Sequence, residues 1–181
     1  MKIALRMLLA LSLAVAVAAC KSTPEVVDEP ADTTTPTTTP TDTGDGTTTT
    51  AAPDPRDYTD DRNFDNSESL LSKRVIYFDF DKSNVKSEYR DIVAAHATYL
   101  RAHSSARITL EGHADERGTR EYNLGLGERR GNAVTGLLSA GGGSGSQLDV
   151  TSYGEERPVC RVSNEDCWWQ NRRVEIVYTA R

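Results

Sequence analysis

Between Lys21 and about Asp65 the chain consists mostly of Thr, Pro, Asp and Gly, and this segment limits how much of the protein can fold. It offers few side chains to bury, so folding would not offset the conformational entropy lost on ordering it. We therefore expect residues 20–68 to form a disordered tether and residues 69–181 to form a single domain. The tether holds 12 acidic and 3 basic residues, whereas the predicted domain holds 15 and 16. This near-neutral domain charge argues against a nucleic-acid-binding surface.

The N-terminus has the pattern of a secretory signal peptide. Two basic residues precede an apolar run from Met7 to Ala19 that ends in small residues. The letters "VAAC" then match a bacterial lipobox, in which the cysteine, here Cys20, becomes an acylated N-terminus. We predict a signal peptide over residues 1–19 and lipidation of Cys20, with palmitate among the acyl chains that hold the protein on a membrane. The alternative is an ordinary signal cleavage near Ala19, with Cys20 incidental.

Beyond Ser69 the periodicity of the apolar residues alternates between strand and helix. The predicted strands are "RVIYFDF" (74–80), "RITLEGH" (107–113), "QLDVTSYG" (147–154) and "RRVEIVYT" (172–179). Apolar residues at helical spacing predict one helix capped near Ser87 and a second from Thr119 to Ala140, before "GGGSGS". Helices between strands imply crossover connections and therefore some parallel pairing. The sequence predicts one α+β domain, built as an α/β sandwich.

The most charged stretch, "LEGHADERGTREYNLGLGERR" (110–130), is the candidate functional site. One alternative is a hydrolase that works by acid–base catalysis, for which Asp79, Asp81 and Asp115 offer carboxylates. A metal site is a second alternative, because Glu111, His113 and Asp115 alternate along the end of a predicted strand. No serine, cysteine or threonine lies in a recognisable nucleophile turn. We therefore expect neither an enzyme nor a metal or other cofactor site.

Helical spacing divides the second predicted helix into two stripes. Gly127 and Gly131 lie on an apolar stripe, and because each weakens a helix by about 1 kcal/mol relative to alanine, they indicate close approach of helix and sheet. The other stripe, predicted to be exposed, consists of Thr119, Asn123, Leu126 and Arg130. Arg130 suits a carboxylate, and Asp115 before the helix suits an ammonium, so the two would fit a zwitterion. From the residues alone, a self-paired, solvated surface is still the favoured interpretation.

Four motifs, in this order, resemble a known family: "YFDFDKSNV", "EGHADERGTREYNLGLGERRGNAV", "SYGEERP" and "NRRVEIVY". They are similar to the OmpA C-terminal-like domain of the peptidoglycan-associated lipoprotein family, over roughly residues 75–178. The resemblance implies a βαβαβ-β domain with a mixed four-stranded sheet and helices packed on one face. It implies non-covalent binding of the peptide stem of peptidoglycan, with Asp115 and Arg130 holding diaminopimelate. The further peptidoglycan contacts that it implies are Phe80, Asp81, Thr119 and Leu126.

The same resemblance implies a location and a set of partners. A lipoprotein of this family would be anchored in the bacterial outer membrane, with its domain facing the periplasm, and would attach that membrane to the cell wall. It would act in the Tol-Pal system, in envelope integrity and cell division, and would bind TolB. The alternatives are a wall-anchoring lipoprotein without a Tol role and a cell-wall hydrolase. Arg120 departs from the family, which often has proline at this first helical position.

Two cysteines, Cys160 and Cys167, remain once Cys20 is assigned to the lipid. An exported protein is in an oxidising compartment, so we expect this pair to form a disulfide. A metal site is the weaker alternative, because no further ligands lie nearby in the sequence. The neighbouring Trp168 and Trp169 are either core or contact residues, and the sequence leaves that choice open.

Overall fold

The computed structural model describes residues 51–181. The predicted signal peptide, the predicted lipidation at Cys20 and the predicted tether up to residue 50 lie outside the described residues. The regular elements are β1 (Val75–Tyr77), α1 (Arg90–Ala102), β2 (Arg107–His113), α2 (Arg120–Ala140), β3 (Leu148–Gly154), α3 (Glu165–Asn171) and β4 (Arg173–Ala180). Four short 3₁₀ turns lie between them or before them: Asp61–Phe64, Leu70–Ser72, Ser87–Tyr89 and Gly145–Gln147.

The four strands form one mixed sheet in the order β1-β4-β2-β3. β4 lies antiparallel to both β1 and β2, whereas β2 and β3 are parallel, with Ile108 opposite Leu148 and Leu110 opposite Val150. The parallel pair follows from α2, because a helix between two strands crosses the sheet and returns the chain in the same direction. The predicted α+β class and the mixed four-stranded sheet are confirmed.

The first strand is shorter than predicted. β1 ends at Tyr77, three residues before the predicted end at Phe80. The chain turns there, since the Lys82 N–H donates to the Asp79 carbonyl (3.2 Å) and Asp81 adopts a left-handed φ of 56°. Beyond Tyr77 the aromatic run therefore continues as a loop that leads into this turn.

The helices also differ from the prediction in two places. α1 begins at Arg90, because the residues from Ser87 to Tyr89 form a tighter 3₁₀ turn. α3 was not predicted, since seven residues span only two helical turns and show little periodicity. Its N-cap is Asn164, whose side chain accepts a hydrogen bond from the Cys167 N–H. α2, by contrast, begins after the Thr119 cap and ends at Ala140 as predicted.

The hydrophobic core lies between α1, α2 and one face of the sheet. Alternate strand residues point into it, as the two-residue period of a strand requires. Its strand residues include Ile76, Ile108, Leu110, Val174 and Ile176, and its helix residues include Val93, Leu100, Val134 and Leu138. The predicted packing of the helices on one face is therefore confirmed.

The domain begins earlier than the predicted boundary at Ser69. Phe64 is 3% exposed and packs edge-on against the rings of Tyr99 (4.8 Å between centroids) and Tyr178 (4.7 Å). The Asn63 side chain, also buried, donates to the carbonyls of Asp54 (2.7 Å) and Asp57 (2.8 Å). The assignment of residues 51–68 to the tether is thus wrong. Composition did not reveal this packing, because the segment contains many Asp, Thr and Pro residues and only one buried aromatic residue, Phe64.

The glycine stripe of α2 brings the helix backbone against the sheet, as predicted. A Cβ on Gly127 would lie 2.3 Å from Ser152 Oγ and 2.8 Å from the Gly112 carbonyl oxygen. A Cβ on Gly131 would lie 2.5 Å from the Val150 side chain. Real Cβ atoms do not approach other atoms this closely, so these positions of α2 exclude a side chain.

We expect Gly127→Ala to destabilise the domain although alanine is the better helix former. The clash with backbone at Gly112 has no flexible side chain to relieve it, and such overpacking costs about 1–3 kcal/mol. The matched control is Gly136→Ala on the same helix, where an added Cβ meets nothing within 4 Å. That change is expected to stabilise by up to about 1 kcal/mol. Urea denaturation compares the two, and equal effects would contradict the close approach.

Candidate functional site

A cleft of about 200 Å³ opens where the loops after β1 and β2 meet the first turns of α2. The residues that line it are Phe80, Asp81, Asp115, Arg117, Gly118, Tyr122, Asn123, Leu126 and Arg130. Five of the six predicted peptidoglycan contacts are in this set. The sixth, Thr119, caps α2, where its hydroxyl oxygen accepts a hydrogen bond from the Tyr122 N–H (3.2 Å). The predicted residues therefore come together in space, with Thr119 holding the helix terminus beside the cleft.

Local backbone geometry brings the two loops to the cleft. Gly118 has a φ of 114°, a conformation that favours glycine, and it turns the chain from the end of β2 into α2. Asp81 has a φ of 56°, which aspartate tolerates better than most residues. The Tyr122 hydroxyl donates to the Asp81 carboxylate and so links α2 to the loop after β1. These contacts join three separate chain segments into one wall.

Asp115 is a buried, ionised carboxylate with two arginine partners. Its Oδ1 accepts from the Arg117 backbone N–H (3.1 Å) and Nε (3.1 Å). Its Oδ2 accepts from Arg117 Nη2 (2.7 Å) and from Arg172 Nη1 (3.2 Å). Burial alone would raise the pKa of Asp115, but the hydrogen bonds from Arg117 and Arg172 outweigh it and hold that pKa below its usual range. The carboxylate is therefore negatively charged at neutral pH.

Arg130 is fully buried, which corrects the prediction of an exposed stripe. Its exposed fraction is 0%, and Asn123 and Leu126 of the same stripe are also buried. Its Nε donates to the Lys82 carbonyl (2.9 Å), Nη1 to the His113 carbonyl (2.7 Å) and Nη2 to the Asp79 carbonyl (3.1 Å). Helical spacing showed that these residues share a face, but not that the loop after β1 lies over it.

Burial also affects the charge of Arg130. Desolvation lowers the pKa of Arg130 to about 10, although the nearby Asp115 carboxylate raises it. The guanidinium therefore remains protonated at neutral pH. The cleft holds two carboxylates, Asp81 and Asp115, and two guanidiniums, Arg117 and Arg130.

The remaining walls of the cleft are largely apolar. Phe80 is 54% exposed on the loop after β1, Tyr122 is also exposed, and Leu126 is buried beneath them. Aromatic and aliphatic surfaces of this kind cover methylene groups. The cleft thus combines charged groups of both signs with a surface suited to a short aliphatic chain.

Four lining residues were not predicted as contacts: Arg117, Gly118, Tyr122 and Asn123. Tyr122 could have been found, because it lies four residues before Leu126 and eight before Arg130 on the same face of the helix. Asn123 was placed on the predicted stripe without a role, and its side chain donates to Glu155 (2.5 Å). Arg117 carries no periodic signal, since it lies in a loop.

The metal alternative finds no supporting geometry. Among residues 51–181 the structure brings together no group of three or more His, Cys, Asp or Glu side chains able to hold a metal ion. His113 instead lies beside the Tyr153 ring (5.5 Å between centroids) and 3.9 Å from the Glu175 carboxylate.

We expect the domain to lose stability as the pH falls from about 6.5 to about 4, because of two buried histidines. Burial lowers the pKa of His96 and of His113 from 6.5 to about 4. The unfolded chain therefore binds protons in this window that the folded state excludes. The contribution of each neutral histidine to stability is complete above the histidine pKa of the unfolded chain. It is lost as the pH falls towards the pKa of the folded state, and the loss is about 1–3 kcal/mol per histidine. Thermal unfolding across this range measures it.

The variants His96→Gln and His113→Gln provide the control for this pH dependence. Each is expected to flatten the fall in unfolding temperature between pH 6.5 and 4, since glutamine does not titrate. An unchanged pH profile in the double variant would show that other groups cause the loss.

The predicted disulfide partners are joined in the structure: Cys160 and Cys167 form a disulfide bond. Cys167 belongs to the first turn of α3, so the bond ties this helix to the loop after β3. Of the two tryptophans left open by the sequence, Trp169 is 45% exposed and packs on the Tyr77 ring (5.1 Å). Trp168 lies over the Arg117 guanidinium, 4.1 Å from it, at the rim of the cleft.

In the part of the chain that is described, no helix combines the length and the apolar character needed to cross a membrane.

Comparison with known proteins gives consistent matches. The chain matches the family described as "OmpA family" over residues 77–171, slightly more than half of its length. It is similar to the peptidoglycan-associated lipoproteins of Pseudomonas putida (48% identical over 108 residues, 60% of this chain and 64% of the relative) and Pasteurella multocida (45% over 104 residues, 58% and 69%). The matched region thus spans less than two thirds of the Pseudomonas protein.

A solved structure supports the same assignment. The crystal structure of the peptidoglycan-associated lipoprotein from Burkholderia pseudomallei matches with a TM-score of 0.63 at 42% identity, over 64% of this chain and 98% of that chain. The resemblance suggested by the four motifs is therefore confirmed at the level of sequence and of fold. The chain belongs to the OmpA family, and the relatives it resembles are peptidoglycan-associated lipoproteins.

Proposed function

We propose that this protein is an outer-membrane lipoprotein that binds the diaminopimelate-containing peptide stem of peptidoglycan and so anchors the outer membrane to the cell wall. One observation carries the proposal: a single cleft presents two carboxylates and two guanidiniums next to an apolar surface. The free end of diaminopimelate is an amino acid, with an ammonium and a carboxylate, on a short aliphatic chain. The cleft matches each of these three parts.

The ammonium would be held by Asp115. A buried carboxylate gives a stronger interaction than an exposed one, because water competes less for it. Both oxygens of Asp115 already accept hydrogen bonds from Arg117 and Arg172, so the ligand ammonium shares the carboxylate with these guanidiniums. Asp81, also in the lining of the cleft, adds a second negative charge.

The ligand carboxylate would be held by Arg130. A guanidinium has five N–H donors, and three of those on Arg130 donate to carbonyls within the described residues. The ligand carboxylate would reach this buried guanidinium from the cleft that Arg130 helps to line. Leu126 and Phe80 would cover the methylene groups between the two charged ends. Because this is recognition without bond breaking, no nucleophile is required.

The hydrolase alternative is disfavoured by the charge state of its carboxylates. A general acid must be protonated at the working pH. Hydrogen bonding by Lys86 holds the pKa of Asp79 below its usual range, and the arginines do the same for Asp115. Both carboxylates are thus ionised at neutral pH, as suits binding of a cation.

Lipidation at Cys20 would connect this domain to the membrane. If the domain begins near residue 51, the residues between it and Cys20 span at most about 100 Å when fully extended. That reach would let the domain contact a wall lying away from the membrane surface. A Cys20→Ala variant is expected to appear in the soluble periplasmic fraction, and its persistence in membranes would contradict the lipid anchor.

A role in the Tol-Pal system, in envelope integrity and cell division with TolB as partner, forms part of the proposal. It is supported only by family membership, since a shared fold does not by itself establish partners. The alternative is a wall-anchoring lipoprotein without a Tol role. Co-purification of TolB with the full chain from its own cells distinguishes them: recovery supports the Tol role, and its absence after crosslinking favours the alternative.

Binding to the wall is tested by sedimentation of the full chain, in detergent, with isolated sacculi. We expect co-sedimentation with sacculi whose stems contain diaminopimelate, and much weaker binding to sacculi whose stems contain lysine. Lysine has the same ammonium but no carboxylate at that end, so the comparison measures what the carboxylate contributes to binding. Equal binding to both would contradict the proposed recognition, and release of soluble muropeptides would favour the hydrolase.

A further inference from the structure

We propose that Trp168 and Glu165, held in place by the Cys160–Cys167 disulfide, position Arg117 against Asp115 and thereby set the affinity of the cleft for its ligand. The proposal rests on the function proposed above and adds positioning residues from a segment outside the predicted site. None of these positioning side chains lines the cleft. They act through Arg117, which does.

The Arg117 guanidinium lies between two aromatic rings. Its central carbon is 3.9 Å from the centroid of the Phe80 ring on one side and 4.1 Å from the Trp168 ring on the other. Both distances are well within the range of a cation–π contact. A long side chain that is 30% exposed would otherwise sample many rotamers, and the two rings restrict it to one plane.

In that plane Arg117 completes a closed ring of alternating charges. Asp115 pairs with Arg117 (2.7 Å) and with Arg172 (3.2 Å). Glu165, on α3, pairs with the same two arginines, at 3.6 Å from Arg117 and 2.5 Å from Arg172. Asp115 and Glu165 thus each pair with both arginines. The orientation of the Asp115 carboxylate therefore depends on Glu165, on the other side of this ring of charges.

The disulfide determines where α3 places these side chains. Cys167 directly precedes Trp168 and follows Glu165 by two residues, so the bond to Cys160 anchors the turn of helix that carries both. At the far end of α3, the Asn171 side chain donates to the Cys160 carbonyl (2.7 Å) and accepts from the Cys160 N–H (3.1 Å). Both Cys167, near the start of α3, and Asn171, at its end, are therefore bonded to Cys160.

A second contact attaches this segment to the loop that carries Asp115. The Trp168 indole N–H donates to the Glu116 carboxylate (3.1 Å), next in the chain to Asp115. α3 therefore contacts the acid loop through an aromatic stack, an ion pair and a hydrogen bond. Arg117 gives three hydrogen bonds to Asp115, so a change in its position reorients the carboxylate that receives the ligand ammonium.

The test measures the dissociation constant of the peptide L-alanyl-γ-D-glutamyl-meso-diaminopimelate for the full chain by calorimetry. Trp168→Ala is expected to raise this constant about tenfold, from loss of a partly buried cation–π contact and of the ordering it provides. Trp168→Phe keeps a ring over Arg117 and is expected to restore binding to within about threefold. The matched control is the adjacent Trp169→Ala, which faces Tyr77 and is expected to leave affinity unchanged.

Two further variants test the ring of charged side chains and the disulfide. Glu165→Gln removes one charge from the ring, and Cys160→Ser with Cys167→Ser removes the covalent closure. Each is expected to raise the dissociation constant about three- to tenfold at a temperature where circular dichroism shows a folded domain. The Arg117 side-chain protons provide a readout that needs no ligand. Between two rings they are shifted upfield in the proton NMR spectrum, and we expect that shift to shrink in Trp168→Ala and in the cysteine double variant.

The outcomes separate the two proposals. If Trp168→Ala binds the peptide as tightly as the parent, or more tightly, Arg117 is not positioned for binding and the inference is overturned. Equal losses in Trp168→Ala and Trp168→Phe would overturn it too, since a ring would then not suffice. If Asp115→Asn loses binding while every α3 variant keeps it, the proposed function stands and the inference fails. If the parent itself does not bind the peptide, the proposed function fails first.

Discussion

Asp115→Asn is expected to weaken binding of the diaminopimelate tripeptide by about 100-fold, because breaking one side of a buried charge pair costs about 2–5 kcal/mol. Asparagine keeps the oxygen that accepts the Arg117 backbone N–H and so preserves the turn. What it removes is the negative charge that the ligand ammonium needs. Calorimetry with the full chain measures the loss, and circular dichroism at the same temperature checks that the domain is folded.

A double-mutant cycle across protein and ligand assigns this loss to the ammonium. The second peptide carries 2-aminopimelate, in which hydrogen replaces the distal ammonium. For the parent, this replacement is expected to cost about as much as Asp115→Asn, and for the variant it is expected to cost little. Additive losses would show that Asp115 and the ammonium do not interact.

Asp81→Asn is the matched control, since Asp81 is the second carboxylate in the lining of the cleft. Its left-handed φ of 56° is a conformation that asparagine tolerates, so the loop is expected to keep its shape. The Asp81 carboxylate is exposed, and its loss is expected to weaken binding by less than about tenfold, because water screens it. If Asp81→Asn weakened binding of the tripeptide more than Asp115→Asn, Asp81 rather than Asp115 would be the acid that holds the ammonium.

Arg130→Met is expected to lower the free energy of unfolding by about 3–5 kcal/mol, the second large effect. Methionine occupies much of the same space but donates nothing. The carbonyls of Lys82, His113 and Asp79 would then lose their donor in a buried setting. Since these carbonyls belong to the loop after β1 and to the last residue of β2, the cleft would lose its shape together with its charge. Urea denaturation followed by circular dichroism measures the change.

The adjacent Arg129→Met is the control for this prediction. Arg129 is exposed, with its guanidinium 5.5 Å from the centroid of the Tyr122 ring, so its removal is expected to change stability by no more than about 0.5 kcal/mol. If Arg130→Met costs no more than Arg129→Met, the three carbonyl contacts do not hold the loops. The comparison also shows that loss of binding in an Arg130 variant does not by itself identify a carboxylate ligand. The lysine-stem sacculi test that role from the ligand side.

Features governed by local spacing could be predicted from the sequence. The bounds of α2 follow from the Thr119 cap and a helical period that ends at the glycine-rich loop. Gly127 and Gly131 were recognised as a contact stripe because a glycine is costly inside a helix unless something approaches it closely. The parallel pairing of β2 and β3 follows from the helix that joins them.

The candidate site was predicted in part, and by a different route. Spacing put Leu126 and Arg130 on one face of α2, residue chemistry paired Asp115 with Arg130, and the family resemblance added Phe80 and Asp81 from the loop after β1. The structure brings these five to one cleft. No sequence pattern indicated Arg117, because its position depends on Trp168 and Glu165 some 50 residues later.

The sequence by itself therefore determined the elements of this domain, their order and one face of its main helix. Only the tertiary structure decided burial: Arg130 was expected in solvent and is enclosed by the loop after β1, and Phe64 was expected in a tether and lies in the core. The physical reason is that periodicity and capping act over a few residues of one element. Burial depends on which distant segment lies over a face, and that is settled only when the whole chain packs.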